Sequence, residues 1–180
     1  MHQPRLIAAV LVSAALLFTP AFAGARSAPP TPPATVTQVH PASLLAVPKF
    51  IFHAGLAFGA FHHCIYLPFK AGRFTSGSIF SKLKNYVVAA GAALFIYHEA
   101  KLALADAQQN KVLKVLVTPL TAAVALFTAI VSKVKSHNLD ASTMASAQGA
   151  VTSIESTAKG KGSPISEAIP TAKQILAGSA

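Results

Sequence analysis

Histidine has the widest chemical range of any residue type in this sequence, and four histidines lie in or beside apolar stretches. His53, His62 and His63 share one uncharged run with Cys64, the only cysteine, and His98 closes a second run. Imidazole and thiolate groups bind transition metals and haem iron. Imidazole also titrates between about pH 5 and 8. A shared site would need His62 or His63 to meet His98 across a helical hairpin.

The spacing of these residues matches no established metal motif. His53 and His62 are nine positions apart, which places them about 180° apart around a helix. The sequence has no Cys-x-x-Cys pair, and His98-Glu99 does not begin an H-E-x-x-H motif because leucine stands three positions after the glutamate. We therefore predict no metal and no cofactor, and we interpret the histidines as packing or interfacial residues. The alternative ligands are His62, His63, Cys64 and His98.

Acidic residues are too scarce to support most hydrolytic chemistry. The sequence of 180 residues holds five Asp and Glu side chains, and no two of them are neighbours that could work as an acid–base pair. It contains no nucleophile elbow, phosphate-binding loop or dinucleotide fingerprint. The sequence therefore predicts a protein that is not an enzyme.

The N-terminal residues have the pattern of an export signal. Arg5 precedes an apolar stretch over residues 6–18, which Pro20 ends, and Ala21 to Ala23 form an A-x-A cleavage site. This pattern predicts a signal peptide over residues 1–23. The alternative is an uncleaved first membrane helix. Residues 24–46 are rich in Pro, Thr and Ala, which is typical of a semi-stiff linker.

Three apolar runs dominate residues 47–136, which we assign to an apolar helical domain. Residues 50–69, 85–98 and 115–132 contain no Asp, Glu, Lys or Arg. They predict an all-α fold of about three helices, arranged as a hairpin or small bundle. We expect the helices near residues 48–67, 82–107 and 112–135. Prolines bound the first of them, and in the third Thr118-Pro119 form a cap and first turn unless the helix passes through Pro119 with a kink.

The remaining residues, 137–180, contain few large apolar side chains. This composition predicts a tail that is partly disordered or weakly helical. Asp140 is a candidate helix cap. The apolar side chains that follow it recur on one helical side at Met144, Ala147, Val151 and Ile154.

Nearly all of the charge is basic, with a net charge of +10 at pH 7. Basic and aromatic residues alternate between the first two apolar runs, a combination that suits the headgroup region of a membrane. The export signal favours anionic lipid or an envelope protein as partner and argues against nucleic acid. The candidate membrane-interface residues are Lys70, Arg73, Phe74, Lys82 and Lys84.

Gly55 and Gly59 form a G-x-x-x-G motif inside the first apolar run. In lipid this motif lets two helices approach closely, so it is a candidate helix-packing surface and a possible basis for a homo-oligomer. The alternative is ordinary packing of small residues in the core.

The stretches over residues 61–74 (FHHCIYLPFKAGRF) and 97–103 (YHEAKLA) resemble uncharacterised small exported proteins of actinobacteria. The resemblance covers about residues 50–107. It implies a bacterial envelope setting and brings no activity, ligand or functional residue with it.

The sequence thus favours a non-enzymatic, exported helical protein that is associated with or embedded in the cell-envelope membrane. By the usual spanning length only the first run is long enough, since the second is short and the third is borderline. The first alternative is a secreted, soluble helical bundle that binds an apolar ligand or a protein partner. The second is a cationic membrane-active protein. The expected location is the cell membrane or the extracellular space.

Overall fold

The computed structural model describes residues 41–178, with side chains from Leu45 onward. Within this range the protein is all-α and contains no strand, which confirms the predicted fold class. The predicted signal peptide and residues 24–40 of the predicted linker lie outside the described residues, whereas its residues 41–46 are helical and begin α1. The helices are α1 (Pro41–Ala60), α2 (Leu67–Lys70), α3 (Ile79–Gln109), α4 (Val117–Lys135), α5 (Ala141–Gly160) and α6 (Ala172–Gly178).

A π-helical segment, Phe61–Tyr66, joins α1 directly to α2, so the first apolar run is one continuous helical rod. In this segment the Leu67 N–H donates to the carbonyl of His62, five residues earlier. The prediction that this helix ends before Pro68 is wrong, because the wider π turn accommodates a proline that has no N–H to donate. The rod also begins before Pro48 and contains it.

Helix α3 is longer than the uncharged run from which it was predicted. Its N-cap is Ser78, whose Oγ accepts a hydrogen bond of 3.2 Å from the Ser81 N–H. Capping by serine satisfies one of the free amides of the first turn and fixes the start of the helix. At the other end, Asn110 closes α3, and its Oδ1 accepts a 2.8 Å hydrogen bond from the Val112 N–H.

Helix α4 follows a short 3-10 turn, Leu113–Leu116, and begins at Val117. Thr118 is therefore inside the helix and is not its cap. Pro119 lies in the first turn, where a missing N–H breaks no helical hydrogen bond.

The core forms where α1, α3 and α4 pack side by side with alternating direction. Large buried side chains come from α1, the π-helical segment and α4, whereas α3 contributes mainly alanines, so that its neighbours approach closely. Phe61 and Phe127 illustrate this packing, since their ring centroids are 5.7 Å apart across the π-helical segment and α4. The largest fully buried side chains include Phe50, Phe58, Phe61, Phe127, Ile65, Leu120 and Ile130.

The C-terminal residues are more ordered than their composition predicts. Helix α5 packs against α4 through the apolar stripe that the sequence indicates, and Met144, Ala147, Val151 and Ile154 are all buried. Asp140 caps α5 as expected, with its Oδ1 2.8 Å from the Thr143 N–H. Small side chains suffice here because they let α5 lie close to α4.

After α5 the chain returns across the bundle as an extended segment, residues 163–171, which we call the strap. The strap lies on α1, and α6 then packs against α3. The Gly178 backbone approaches Phe95 so closely that a Cβ there would lie 2.6 Å from its ring.

Three helical stretches are long and apolar enough to cross a membrane, judged by length and composition. They are Leu45–Lys70, Ile79–Gln109 and Leu113–Lys135. The sequence predicts that only the first stretch is long enough to span a membrane, because the uncharged runs alone are shorter than the helices that contain them. In the third stretch only 28 % of the most apolar window is buried within the protein.

Candidate functional site

The histidines proposed as alternative metal ligands do not converge. His63 and His98 are exposed, Cys64 is half-buried, and His62 points toward the C-terminal half of the chain. Among the described residues no group of three or more His, Cys, Asp or Glu side chains is arranged to hold a metal ion. Burial raises the pKa of the Cys64 thiol, because it disfavours the charged thiolate. Cys64 therefore behaves as a small core residue.

His62 instead belongs to a polar cluster that we call the clasp, formed by His62, Gln148, Glu155 and Glu167. The His62 Nδ1 pairs with the Glu167 carboxylate on the strap. Its Nε2 lies 2.5 Å from Oε1 of Gln148 on α5. The Gln148 amide nitrogen donates to Thr152 Oγ1 at 3.3 Å, which turns its oxygen toward the ring. Both ring nitrogens therefore face acceptors, an arrangement that the doubly protonated imidazolium satisfies.

Glu155 on α5 completes the clasp beside Glu167. Burial raises the pKa of Glu155, and the neighbouring Glu167 raises it further through its charge and a side-chain hydrogen bond, while His62 opposes the shift. The sequence shows no paired carboxylates because these two residues come together only when the strap folds back. Like charges at such close range favour a shared proton.

A cleft of about 510 Å³ opens next to the clasp between α5 and the strap. Glu155 and Glu167 line it together with hydroxyl groups and one cation. These groups can hold or exchange protons, but no serine or cysteine nucleophile is hydrogen-bonded to a base there. The remaining lining residues are Thr152, Ser156, Lys159, Pro164 and Ile165.

A second polar contact lies deeper, between α1 and α3. His53 Nδ1 is 2.6 Å from Oε2 of Glu99, and the glutamate is almost completely buried. Asp106, two turns further along α3, has an Oδ2 atom with no hydrogen-bond partner among the described residues. Burial raises the pKa of Asp106, and the charges of His53 and Lys49 on α1 oppose this rise. The buried acidic groups of α3 thus face the basic groups of α1.

The basic end of the bundle, where α2 ends, α3 begins and α4 ends, carries most of the candidate interface residues. Lys70, Arg73 and Lys84 are exposed, and Lys82 is half-buried. Phe74 is only 4 % exposed and its ring packs 5.0 Å from that of Tyr86, so it does not face a membrane as predicted. It is buried because the turn at Gly72, which has a positive φ of 67°, folds the loop back onto α3.

Other apolar side chains take the exposed position that the sequence assigns to Phe74. The first turns of α3 expose a group of large apolar residues, among which Phe80 is 85 % exposed. Their spacing places them on neighbouring faces of the helix, next to Lys82 and Lys84. We call this group the apolar ridge; it comprises Ile79, Phe80, Leu83, Val87 and Val88.

A groove of about 340 Å³ runs along the apolar ridge toward the end of α4. Four residues of α3 line it together with His137, which follows α4; those of α3 are Ile79, Lys82, Leu83 and Tyr86. The Tyr86 hydroxyl donates to the His137 carbonyl at 3.0 Å and thereby ties α3 to the end of α4. Within the described residues, the only acidic side chain at this end is Asp140, which pairs with Lys133 at 2.6 Å.

The two glycines of the G-x-x-x-G motif contact the strap and not another helix. A Cβ on Gly55 would lie 2.4 Å from the Ser166 carbonyl oxygen, and one on Gly59 would lie 2.1 Å from that of Ala168. The Ala168 N–H also donates to the Gly55 carbonyl at 3.0 Å. The motif therefore creates space for an extended backbone of the same chain.

Comparison with known proteins finds no matching family model and no similar curated protein or solved structure.

Proposed function

We propose that this chain is a non-enzymatic, exported protein that binds the anionic surface of a cell-envelope membrane through the basic end of its bundle. The observation that carries the proposal is the apolar ridge, whose side chains are exposed directly beside Lys82 and Lys84. Large apolar side chains rimmed by lysines are typical of surfaces that enter the headgroup layer.

The expected affinity is moderate. Each basic residue near an anionic membrane contributes about 1 kcal/mol. Lys70, Arg73, Lys82 and Lys84 together therefore supply roughly 4 kcal/mol. Burial of one phenylalanine such as Phe80 adds about 2 kcal/mol. The sum corresponds to a dissociation constant on the order of 10⁻⁵ to 10⁻⁴ M, which describes reversible binding.

A surface-bound form fits this conformation better than a spanning one. The strap is extended and largely exposed, and it crosses α1 at Gly55 and Gly59, well inside the candidate span Leu45–Lys70. Hydrocarbon cannot satisfy the free backbone groups of an exposed extended segment. The arrangement therefore supports binding at the membrane surface while the strap is in place.

A secreted bundle that binds an apolar ligand or protein partner is the second candidate. The groove beside the apolar ridge favours it, because the walls at Leu83 and Tyr86 could bury a small apolar group. A cationic membrane-active protein would use the same surface but would also disrupt the bilayer. Dye release from vesicles separates this last activity from simple binding.

The decisive experiment is co-sedimentation of the processed protein with vesicles of phosphatidylcholine alone or mixed with phosphatidylglycerol. We expect binding only to the anionic vesicles, with weakening at high salt. The double variant Lys82→Glu, Lys84→Glu should lose at least about tenfold in affinity, since two contacts become repulsive.

The matched control is Lys111→Glu, Lys114→Glu, which changes the net charge equally on exposed residues at the opposite end of the bundle. It should retain most of the binding. Equal binding to both vesicle types, or equal losses of affinity in the two double variants, would refute the proposal that the basic end is the surface that binds anionic lipid. Export has its own measurement: N-terminal sequencing of the protein from envelope and medium fractions should begin near Gly24.

A further inference from the structure

The strap covers the part of α1 that is best suited to close packing. Its backbone from Ser166 to Ala168 occupies the space above Gly55 and Gly59. The Ser166 and Ala168 carbonyl oxygens approach these glycines too closely for a Cβ to fit there. The Ala168 N–H bonded to the Gly55 carbonyl is the one backbone hydrogen bond between the strap and α1 among the described residues. Ser163 and Pro170, near the two ends of the strap, are buried and Ile165 packs partly against the core, whereas Ser166 to Ala168 are exposed, so apolar burial contributes little to holding this middle part.

The clasp supplies the attachment that the backbone lacks. Glu167 is the strap residue that enters it, and it contacts His62 of the π-helical segment and Glu155 of α5. The strap is thus tied to two helices through one carboxylate whose partners are both titratable.

We propose that the strap is an autoinhibitory latch, which the clasp closes over Gly55 and Gly59 and whose release allows α1 to enter the bilayer. The inference rests on the proposed membrane binding. With the strap closed, exposed peptide groups lie over the middle of the candidate span and oppose insertion. With the strap open, Glu167 leaves, and α1 presents a small-residue face that suits close packing against another helix in lipid.

The chemistry of the clasp sets the direction of a pH response. The groups that face Glu155 are Glu167, His62 and, one turn along α5, Lys159. Because the folded protein raises the pKa of Glu155, the closed state binds more protons there, and its stabilisation is lost as pH rises through that pKa. Protonation of Glu155 therefore favours the closed latch, and release follows at higher pH.

The test measures hydrogen exchange of the Ala168 amide, the strap N–H that is bonded to α1, by fragment-resolved mass spectrometry at pH 5 and pH 8, corrected for the intrinsic pH dependence of exchange. We expect the wild-type strap to lose protection by about tenfold or more between these values, since deprotonation of Glu155 removes its stabilisation of the closed state. Glu155→Gln should flatten this response. Glu167→Gln should exchange fast at both values, while Ser156→Ala, in the same cleft, should behave as wild type.

A steric variant checks the same latch without changing any titratable group. Gly59→Ala forces the Ala168 carbonyl away, so the strap should exchange fast at both pH values. If protection is the same at pH 5 and pH 8 and Glu167→Gln leaves it unchanged, the latch is refuted.

The membrane consequence is measured on the same proteins bound to anionic vesicles. All of them should co-sediment equally, because the basic end is untouched, but insertion that resists a high-salt wash at pH 5 should rise in Glu167→Gln and Gly59→Ala. Faster strap exchange without more insertion would refute the autoinhibitory role. Failure of every protein to co-sediment would refute the proposed membrane binding, and the exchange data would still judge the latch.

Discussion

The imidazole of His53 and the carboxylate of Glu99 form a 2.6 Å contact that joins α1 to α3 within the most apolar part of the bundle. Glu99 is buried and His53 is partly buried, so each group is the main compensation for the desolvation of the other. Partner loss in such a pair is more harmful than replacement of both members, because a single remaining group is left buried and unpaired.

We therefore expect His53→Leu to reduce the free energy of unfolding by about 2–3 kcal/mol. The double variant His53→Leu, Glu99→Leu should recover most of that loss. Urea denaturation followed by circular dichroism measures both. A double variant that is as unstable as the sum of the two single variants would show that the pair has no coupling.

A second prediction about stability concerns the close packing of the strap on α1. Gly55→Ala places a Cβ 2.4 Å from the Ser166 carbonyl oxygen. At Gly149, an exposed position of α5, the Cβ of an alanine meets no atom within 4 Å. We expect Gly149→Ala to stabilise the protein by up to about 1 kcal/mol, because alanine has the higher helix propensity. Gly55→Ala should lower the melting temperature or free the strap. Similar effects of the two substitutions would contradict the close packing of strap and helix.

The apolar ridge can be tested with side chains of equal exposure. Leu83 is 51 % exposed at the basic end, and Val112 is 52 % exposed near the start of the 3-10 turn at the opposite end. Leu83→Ser should weaken binding to anionic vesicles by about three- to tenfold, since a partly buried leucine contributes roughly 1 kcal/mol. Val112→Ser should leave binding unchanged. Equal losses of vesicle affinity in the two variants would indicate that any exposed apolar side chain promotes binding, whichever end of the bundle carries it.

The cap of α5 gives a pH-dependent prediction. Lys133 holds the pKa of Asp140 far below its usual range, and hydrogen bonds from Ser142 and Thr143 lower it further. The stabilisation is therefore present above the ordinary carboxyl range and is lost as pH falls through the lowered pKa. Asp140→Ala should lower the melting temperature at pH 7. Asp140→Asn should keep the cap but lose the acid sensitivity, and an acid response in this variant identical to that of the wild type would assign that sensitivity to other groups.

The helical content was predictable because the apolar runs are long and contain few breakers. The stripe on α5 could also be identified from the sequence, since Met144, Ala147, Val151 and Ile154 recur at helical spacing and follow the cap at Asp140. Its firm packing could not, because alanines and threonines contribute little hydrophobic signal even where they fit closely. The helix limit at Pro68 was wrong because a π turn tolerates proline, and the limit at Pro48 was wrong because α1 begins seven residues earlier and continues through that proline.

The candidate sites depended more on tertiary structure. The lysines of the basic end follow from sequence, since charge at helix ends faces outward almost regardless of fold. Phe74 and Phe80 lie six positions apart in the same loop and first turn, and only the fold decides that the first is buried and the second exposed. The clasp had no sequence signal, because Glu167 meets His62 across more than a hundred residues through a return of the chain.

The π-helical segment has a consequence for how this chain tolerates changes in length. A π turn holds one more residue than an α turn, so Phe61–Tyr66 stores a single surplus residue between two correctly oriented faces. Deleting one residue there would leave an ordinary α-helix with Phe50 and Lys70 still facing as they do now. The same deletion within residues 50–58 would rotate everything beyond it by about 100°. This short segment is therefore where evolution or an engineer can shorten the rod without rebuilding the bundle.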